Sequence, residues 1–292
     1  MAVFELKLEV SLVAAAALEE LLAEREEQRL MVLEDKPAAR AWVTGYFTSA
    51  QEAGAAWAEL RAAGAGLPMT EALPEIRELP DADWKNSYKA HFKAWKFGPL
   101  NWVPVWERET FVRPAGESVL WLDPGMAFGT GNHETTRLVV ERMVGIAART
   151  GAQGRVIDAG CGSGILALSA VLLGYGNVAA FDNDAEAVRV SEENAELNGL
   201  SGRVEFYVGD LISGLAGRQA ELVLANIQAD VLMRFANELC AAVAAGGSLV
   251  LSGILSQELE RVRTTFVALV PAWEIESRIL GEWSDLTLTR RV

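Results

Sequence analysis

The sequence predicts an α/β protein in two parts. A small N-terminal βαββαβ unit is followed by a mainly parallel, doubly wound sheet of seven strands closed by an antiparallel hairpin. Three observations carry this reading. Strand-like and helix-like segments alternate from about residue 97 to the end of the 292-residue chain, the pattern that builds a parallel sheet with helices on both faces. Residues 156–164, V-I-D-A-G-C-G-S-G, form a short apolar run that ends in an acid and then glycines at alternate positions, as expected of a strand feeding a ligand-binding turn. The last two apolar runs, 273–280 and 284–290, flank Gly281 and Glu282 and read as a hairpin.

The elements follow in order. Residues 3–10 alternate as a strand, 12–24 are an Ala/Leu/Glu helix, and 29–33 and 41–47 are two further strands. Ser49 with Glu52 three residues on predicts a capped helix, whose apolar face is Ala53, Ala56, Trp57 and Leu60. A strand at 73–79 completes a ferredoxin-like order. Within 81–97, Trp84, Tyr88 and Phe92 share one helical face, which predicts a connecting helix. The expected organisation is a domain at 1–72, a linker helix region at 73–93 and the large domain at 94–292. In the large domain, helices are expected at 135–150, 165–173 and 185–198. Strands are expected at 178–182, 204–208, 221–225 and 248–252, with one helix running to residue 245 and a Gly246-Gly247 turn after it.

Composition narrows the function. A hydrophobic fraction of 51% supports ordinary cores, and the two cysteines, Cys161 and Cys240, give neither a disulfide framework nor a metal pattern. Cys161 reads as a small residue tolerated in a tight turn. With only two histidines, His91 and His133, a His-rich metal cluster is excluded. A net charge of −14 and a pI near 4.7 argue against a nucleic-acid substrate and favour a basic protein partner. Glu5, Lys7 and Glu9 interrupt any N-terminal apolar run, so neither a signal peptide nor a membrane span is expected and the compartment is the cytoplasm.

The glycine spacing selects the ligand. A dinucleotide turn is G-x-G-x-x-G; here it is G-x-G-x-G at Gly160, Gly162 and Gly164, with Asp158 two residues ahead. A carboxylate there suits a sulfonium and an ammonium, and would repel a pyrophosphate. This D-x-G-x-G-x-G form resembles the first motif of Rossmann-like methyltransferases, which bind S-adenosylmethionine. Asp182 ends the next strand, one βαβ unit on, where an acid bonds ribose hydroxyls. The glycine-punctuated loop 123–136 places Phe128 and Gly129 to line the ligand and Thr136 to bond its carboxylate near a helix start. Asn226 ends a further strand, where its side-chain oxygen and the carbonyl after it can accept from an attacking amine. Asp210 is a candidate acceptor for the adenine amino group. A nicotinamide-dependent oxidoreductase would need a third glycine spaced by two and a general acid, and neither is visible.

The longer motifs are more specific. D-P-G-M-A-F-G-T-G-N-H-E-T-T (123–136), V-I-D-A-G-C-G-S-G-I-L-A (156–167), A-N-I (225–227), S-G-I-L (252–255) and G-E-W (281–283), preceded by W-K-N-S-Y-K-A-H-F (84–92), resemble the PrmA family, the bacterial methyltransferases of large-subunit ribosomal protein eleven. The resemblance implies a Rossmann-like class I methyltransferase domain behind a small ferredoxin-like domain that grips the ribosomal protein. It implies S-adenosylmethionine as cofactor, with Thr136, Gly160, Asp182 and Asn226 as contacts, and Thr136 and Asn226 acting on the reaction by positioning. It further implies trimethylation of lysine side chains and the α-amine of a basic ribosomal protein; a monomer is expected, with no metal, nucleic acid or membrane partner. Gln228 stands where family members often carry an apolar or aromatic residue. The alternatives are another protein lysine as acceptor and, in a different class, a non-catalytic ribosome-binding module.

Overall fold

The structure is a computed structural model that describes residues 3–24, 29–35, 40–64, 72–79, 94–123 and 133–291. The chain divides into two compact units, Met1–Phe92 and Lys93–Val292.

The first unit runs β1 (Val3–Val10), α1 (Leu12–Glu24), β2 (Leu30–Asp35), β3 (Arg40–Phe47), α2 (Ala50–Ala63) and β4 (Glu75–Leu79). Its antiparallel sheet has the order β2-β3-β1-β4, the ferredoxin-like arrangement expected. Alternation along β1 buries Leu6, Leu8 and Val10 and exposes Lys7 and Glu9. At the start of α2, Ser49 Oγ accepts from Glu52 N at 3.2 Å, while the Glu52 carboxylate bonds Thr48 rather than closing a full box on Ser49. The buried face is Ala53, Ala56, Trp57 and Leu60. Because β4 is hydrogen-bonded to β1, residues 75–79 belong to this sheet and not to a connector. The connecting helix with Trp84, Tyr88 and Phe92 lies outside the described residues; the end of the same segment does not, and it is a strand.

That strand opens the second unit. β5 (Trp95–Phe97), β6 (Leu100–Pro104) and β7 (Ser118–Leu122) form a separate three-stranded sheet that the periodicity did not indicate. The unit continues with α3 (Glu134–Thr150), β8 (Arg155–Ala159), α4 (Ile165–Leu172), β9 (Asn177–Asp182), α5 (Ala185–Leu197), β10 (Val204–Val208) and β11 (Ala220–Asn226). It ends with α6 (Ala229–Arg234), α7 (Ala236–Ala241), β12 (Val243–Leu255), α8 (Leu259–Leu269), β13 (Glu274–Leu280) and β14 (Trp283–Thr289). The seven-stranded sheet has the order β10-β9-β8-β11-β12-β14-β13, parallel except where β14 meets β12 and β13. Neighbouring residues feed cores on opposite faces: Val156, Leu222 and Leu224 go to one, Ile157, Val223 and Ala225 to the other. The small sheet packs on α4, where the buried Trp102 Nε1 donates to Ser169 Oγ at 2.9 Å.

Two expectations are corrected here. The single helix to residue 245 is broken at Phe235, whose φ of −111° and ψ of 27° leave the helical region. β12 then begins at Val243, so Gly246 and Gly247 lie inside the strand, where Gly246 takes φ 75° and the register against β11 shifts. Among the described residues, no helix is long and apolar enough to cross a membrane.

The closing hairpin grips α3. The fully buried Asp285 of β14 accepts from Arg142 Nε and Nη2, both at 3.0 Å, and from Arg278 Nε and Nη2 at 2.9 and 2.7 Å. Arg278 also donates to Leu138 O at 2.7 Å. At the hairpin tip, the Trp283 ring meets the His133 ring edge-on with centroids 4.8 Å apart. These contacts set the height of α3, and its first turn carries Thr136.

Candidate active site

The site lies at the carboxyl ends of β8, β9, β10 and β11, where open α/β sheets bind ligands. A cleft of about 500 Å³ is lined there by Gly160, Asp182, Asp210, Leu211, Ile227 and Phe235, among others.

β8 delivers Asp158 and the glycine turn. Asp158 is fully buried; its Oδ2 accepts from Ala167 N at 3.1 Å and ties the turn to α4, while its Oδ1 has no partner among the described residues. Burial pushes its carboxyl up to about 7, and the nearby Asp182 charge adds to the rise, against the bond from Ala167. Cys161, next to Gly160, is likewise buried. Its thiol is pushed up to about 12, chiefly by burial and then by the Asp158 charge, which makes it inert rather than nucleophilic.

The turn's amides are mostly occupied within the protein. Gly160 N and Cys161 N donate to Phe181 O at 2.9 and 3.0 Å, and Gly164 N donates to Cys161 O at 2.8 Å. Gly162 N donates to Asp182 Oδ2 at 3.0 Å. Such a turn has few amides left for a pyrophosphate, which counts against the dinucleotide reading. All three glycines take positive φ, but two are also required by neighbours. A Cβ on Gly160 would lie 2.6 Å from Ile227 Cγ2, and one on Gly164 would lie 2.9 Å from Ser191 of α5. The reasons for glycine at 164 are therefore internal: its amide is bonded and its bare Cα admits Ser191.

Asp182 stands at the end of β9, half-buried at the cleft wall, with Oδ1 accepting from Asp184 N at 3.1 Å. Asp210 also lines the cleft, but its Oδ1 is already bonded by Ile212 N and by Ser213 N and Oγ. Those Ser213 bonds hold its carboxyl below the ordinary range, so only its other oxygen is left for a ligand.

Thr136 and Asn226 meet. Thr136 is buried in the first turn of α3, which His133 caps through Nδ1. Asn226 ends β11, and its Nδ2 donates to Thr136 Oγ1 at 3.3 Å. This polarity leaves the Thr136 hydroxyl proton and the Asn226 carbonyl oxygen to act on ligands, a donor beside an acceptor. Two glycines allow the approach of the next residue, Ile227. Gly160 touches its side chain, and Gly253 of S-G-I-L, at φ 81°, would place a Cβ 2.3 Å from Ile227 O. Gln228 follows on the cleft rim.

The structure thus brings Gly160, Gly162 and Asp182 together through the glycine turn, and joins Thr136 to Asn226. Phe128 and Gly129 lie outside the described residues. The residues fit S-adenosylmethionine: an unpartnered buried carboxylate oxygen suits a cation, Asp182 ends its strand in a position from which a carboxylate can accept from hydroxyls, and Thr136 offers a donor beside a helix start. Periodicity missed Ser191 and Asn194 of α5, which bond the backbone of the turn, and Asn198 at the helix C-cap, which bonds Trp121 of β7; their i, i+3, i+7 spacing was the available signal.

The sequence matches the family described as "Ribosomal protein L11 methyltransferase (PrmA)" over residues 7–291. A ribosomal protein L11 methyltransferase of Geobacter sp. (strain M21) is 41% identical over 223 residues, covering 75% of this chain and 71% of the relative. That of Pelobacter propionicus is 44% identical over 223 residues, covering 74% and 70%. A solved ribosomal protein L11 methylase of Lactobacillus delbrueckii subsp. bulgaricus superposes with a TM-score of 0.60 at 30% identity, covering 69% of this chain and all of the other. On the site's geometry and these matches together, the chain belongs to the ribosomal protein L11 methyltransferase (PrmA) family and is an S-adenosylmethionine-dependent methyltransferase.

Proposed function

We propose that this protein transfers methyl groups to lysine side-chain and α-amino groups of ribosomal protein L11, acting as a monomer in the cytoplasm. The observation that carries the reading is the Thr136–Asn226 pair at the end of β11, within a chain whose family match spans residues 7–291. S-adenosylmethionine, when bound, supplies an electrophilic methyl on a sulfonium.

The residues of this chain act on binding and orientation. When the cofactor is bound, Thr136 would hold its carboxylate and Asp182 its ribose, with the Gly160–Gly162 backbone beside its methionine arm and Asp158 as counter-charge to its ammonium. An acceptor lysine must attack as the neutral amine, and with a reference pKa of about 10.4 this costs roughly 4 kcal/mol at pH 7.5. Asn226 Oδ1 accepts from the amine and aims its lone pair without retaining a strong counter-charge, while desolvation favours the neutral form. The proton leaves to water. The net charge of −14 steers a basic substrate towards the enzyme, and the N-terminal unit supplies its recognition.

Mass spectrometry of ribosomal protein L11 incubated with enzyme and S-adenosylmethionine tests this. Mass gains in steps of one methyl on lysines and on the N-terminus are expected; an unmodified L11, with methylation of other proteins in an extract, would transfer the activity to a different acceptor.

A further inference from the structure

One face of α5 carries Ser191, Asn194 and, at the helix C-cap, Asn198, spaced so that all three project to the same side. Ser191 Oγ donates to Gly162 O and Asn194 Nδ2 to Ser163 O, both at 2.9 Å. Asn198 addresses a different segment. Its Oδ1 accepts from Trp121 N at 2.7 Å and its Nδ2 donates to Trp121 O at 3.0 Å.

Trp121 lies on β7, which among the described residues pairs only with β6 in the small sheet. Its outward N–H and C=O would otherwise be left without strand partners, and the Asn198 amide completes them as a neighbouring peptide would. The second Nδ2 hydrogen of Asn198 goes to Asn194 O at 2.8 Å, so no donor on that amide is spare. A continuous polar ladder therefore runs from the carbonyls of the glycine turn, through α5, to the end of β7.

We infer that Asn194 and Asn198 are positioning residues that couple the glycine turn to β7 and so set the geometry in which S-adenosylmethionine is bound. Neither touches the cofactor site itself. Gly162 is the residue whose amide Asp182 holds from the front, and Ser191 and Asn194 hold the same turn from behind. A change at Asn198 should be felt at the turn through Asn194.

The test uses the full chain, rests on the cofactor assignment, and includes the unaltered protein as a control. If the unaltered protein fails to bind S-adenosylmethionine, the cofactor assignment fails first and is distinguished from failure of the ladder. Asn194→Ala and Asn198→Ala are compared singly and together, well below their melting temperatures. Calorimetry gives the S-adenosylmethionine Kd, and backbone amide exchange in the cofactor-free protein is followed at Gly162, Gly164 and Trp121. Expected is a Kd raised about tenfold in each single variant, a double variant about as weak as either, and near-normal kcat at saturating cofactor. Faster exchange at Gly162 in Asn198→Ala is also expected, although Asn198 does not contact that residue. A Kd within threefold of the unaltered protein in Asn198→Ala, or exchange disturbed only at Trp121, would overturn the coupling and leave Asn198 as a local cap. Should Asn198→Ala not fold, the same readings on Asn194→Ala decide, with Trp121 as the distant reporter.

Discussion

The carboxylate of Asp182 accepts a hydrogen bond from Gly162 N at 3.0 Å across a separation of 20 residues. One acid at the end of β9 thereby shapes the turn at the end of β8 while keeping lone pairs for a ligand. Two roles on one side chain make its removal costly in binding. Asp182→Ala is expected to weaken S-adenosylmethionine binding by about 1.5–3 kcal/mol, or roughly ten- to over a hundredfold. Titration calorimetry showing an unaltered Kd would remove Asp182 from the site.

Asp158 makes the protein pH-sensitive in an unusual direction. Its carboxyl titrates near 3.8 in the unfolded chain and is pushed up to about 7 in the fold, chiefly by burial. As pH rises through that window the unfolded chain loses the proton first, so it binds fewer protons and stability falls, by about 4 kcal/mol in all. Above about pH 8, where the carboxyl is ionised in both states, the cost is constant. Asp158→Asn should therefore be more stable than the unaltered protein at pH 8 and nearly equal to it at pH 4, as read from urea unfolding. A cationic ligand favours the ionised carboxylate, so S-adenosylmethionine affinity should rise between pH 6 and 7.5 and lose that rise in the Asn variant. A pH-independent difference in stability between the two proteins would show that Asp158 does not titrate in this window.

How much of this was legible in the sequence depended on range. The glycine turn, the Ser49 cap and the strand ends bearing Asp182 and Asn226 are each encoded within a few residues, and the structure has those elements. The small sheet was not legible, because β5 has three residues and β6 and β7 have five each, too few to show alternation. The aromatic spacing upstream of β5 also resembles a helix. The break at Phe235 was hidden inside a run of good helix formers. The long rungs of the α5 ladder join side chains to backbone 29 to 77 residues away, and the Asp285 cluster joins side chains 7 and 143 residues apart; no local pattern announces a polar group that is satisfied at such distance.

Asp285 provides a stability test. It is fully buried between Arg142 and Arg278, so Asp285→Ala leaves two guanidinium groups without their shared counter-ion. Breaking one side of a buried charge cluster costs about 3–5 kcal/mol, which for a unit of this size lowers Tm by about 10 °C. Scanning calorimetry gives the shift. A loss below about 1 kcal/mol would mean that water reaches both arginines once the carboxylate is gone.

Gly253 and Gly199 separate strain from packing. Both take positive φ, 81° and 68°, but a Cβ at Gly253 would meet Ile227 O at 2.3 Å, whereas Gly199 has open space. Gly199→Ala should cost about 1–2 kcal/mol from backbone conformation alone. Gly253→Ala should cost more and must displace Ile227, and with it Asn226, so its S-adenosylmethionine Kd should rise at least tenfold while Gly199→Ala binds normally. Equal effects of the two substitutions on Kd would show that the Gly253–Ile227 approach does not set the position of Asn226.

The N-terminal unit separates recognition from chemistry. Met1–Phe92 is compact in its own right, with a four-stranded sheet and a core of Leu6, Leu18, Val43 and Trp57, yet Thr136, Asp158, Asp182 and Asn226 all belong to Lys93–Val292. A chain beginning at Lys93 keeps both faces of the seven-stranded sheet covered, because among the described residues the two cores there draw on those from Trp95 onward. Contacts between units of one chain are commonly modest, so this shorter protein is expected to fold. Its circular dichroism and solubility are checked first. It should bind S-adenosylmethionine with a Kd within about threefold of the full chain, since every proposed contact is retained. Methyl incorporation into intact ribosomal protein L11, compared at equal cofactor occupancy, should fall by at least a hundredfold, with the loss in KM for the protein substrate. Transfer to a short lysine peptide should be equally slow with both chains, because the peptide has no surface for the missing unit to hold. Equal rates on intact L11 would show that recognition resides in Lys93–Val292 itself.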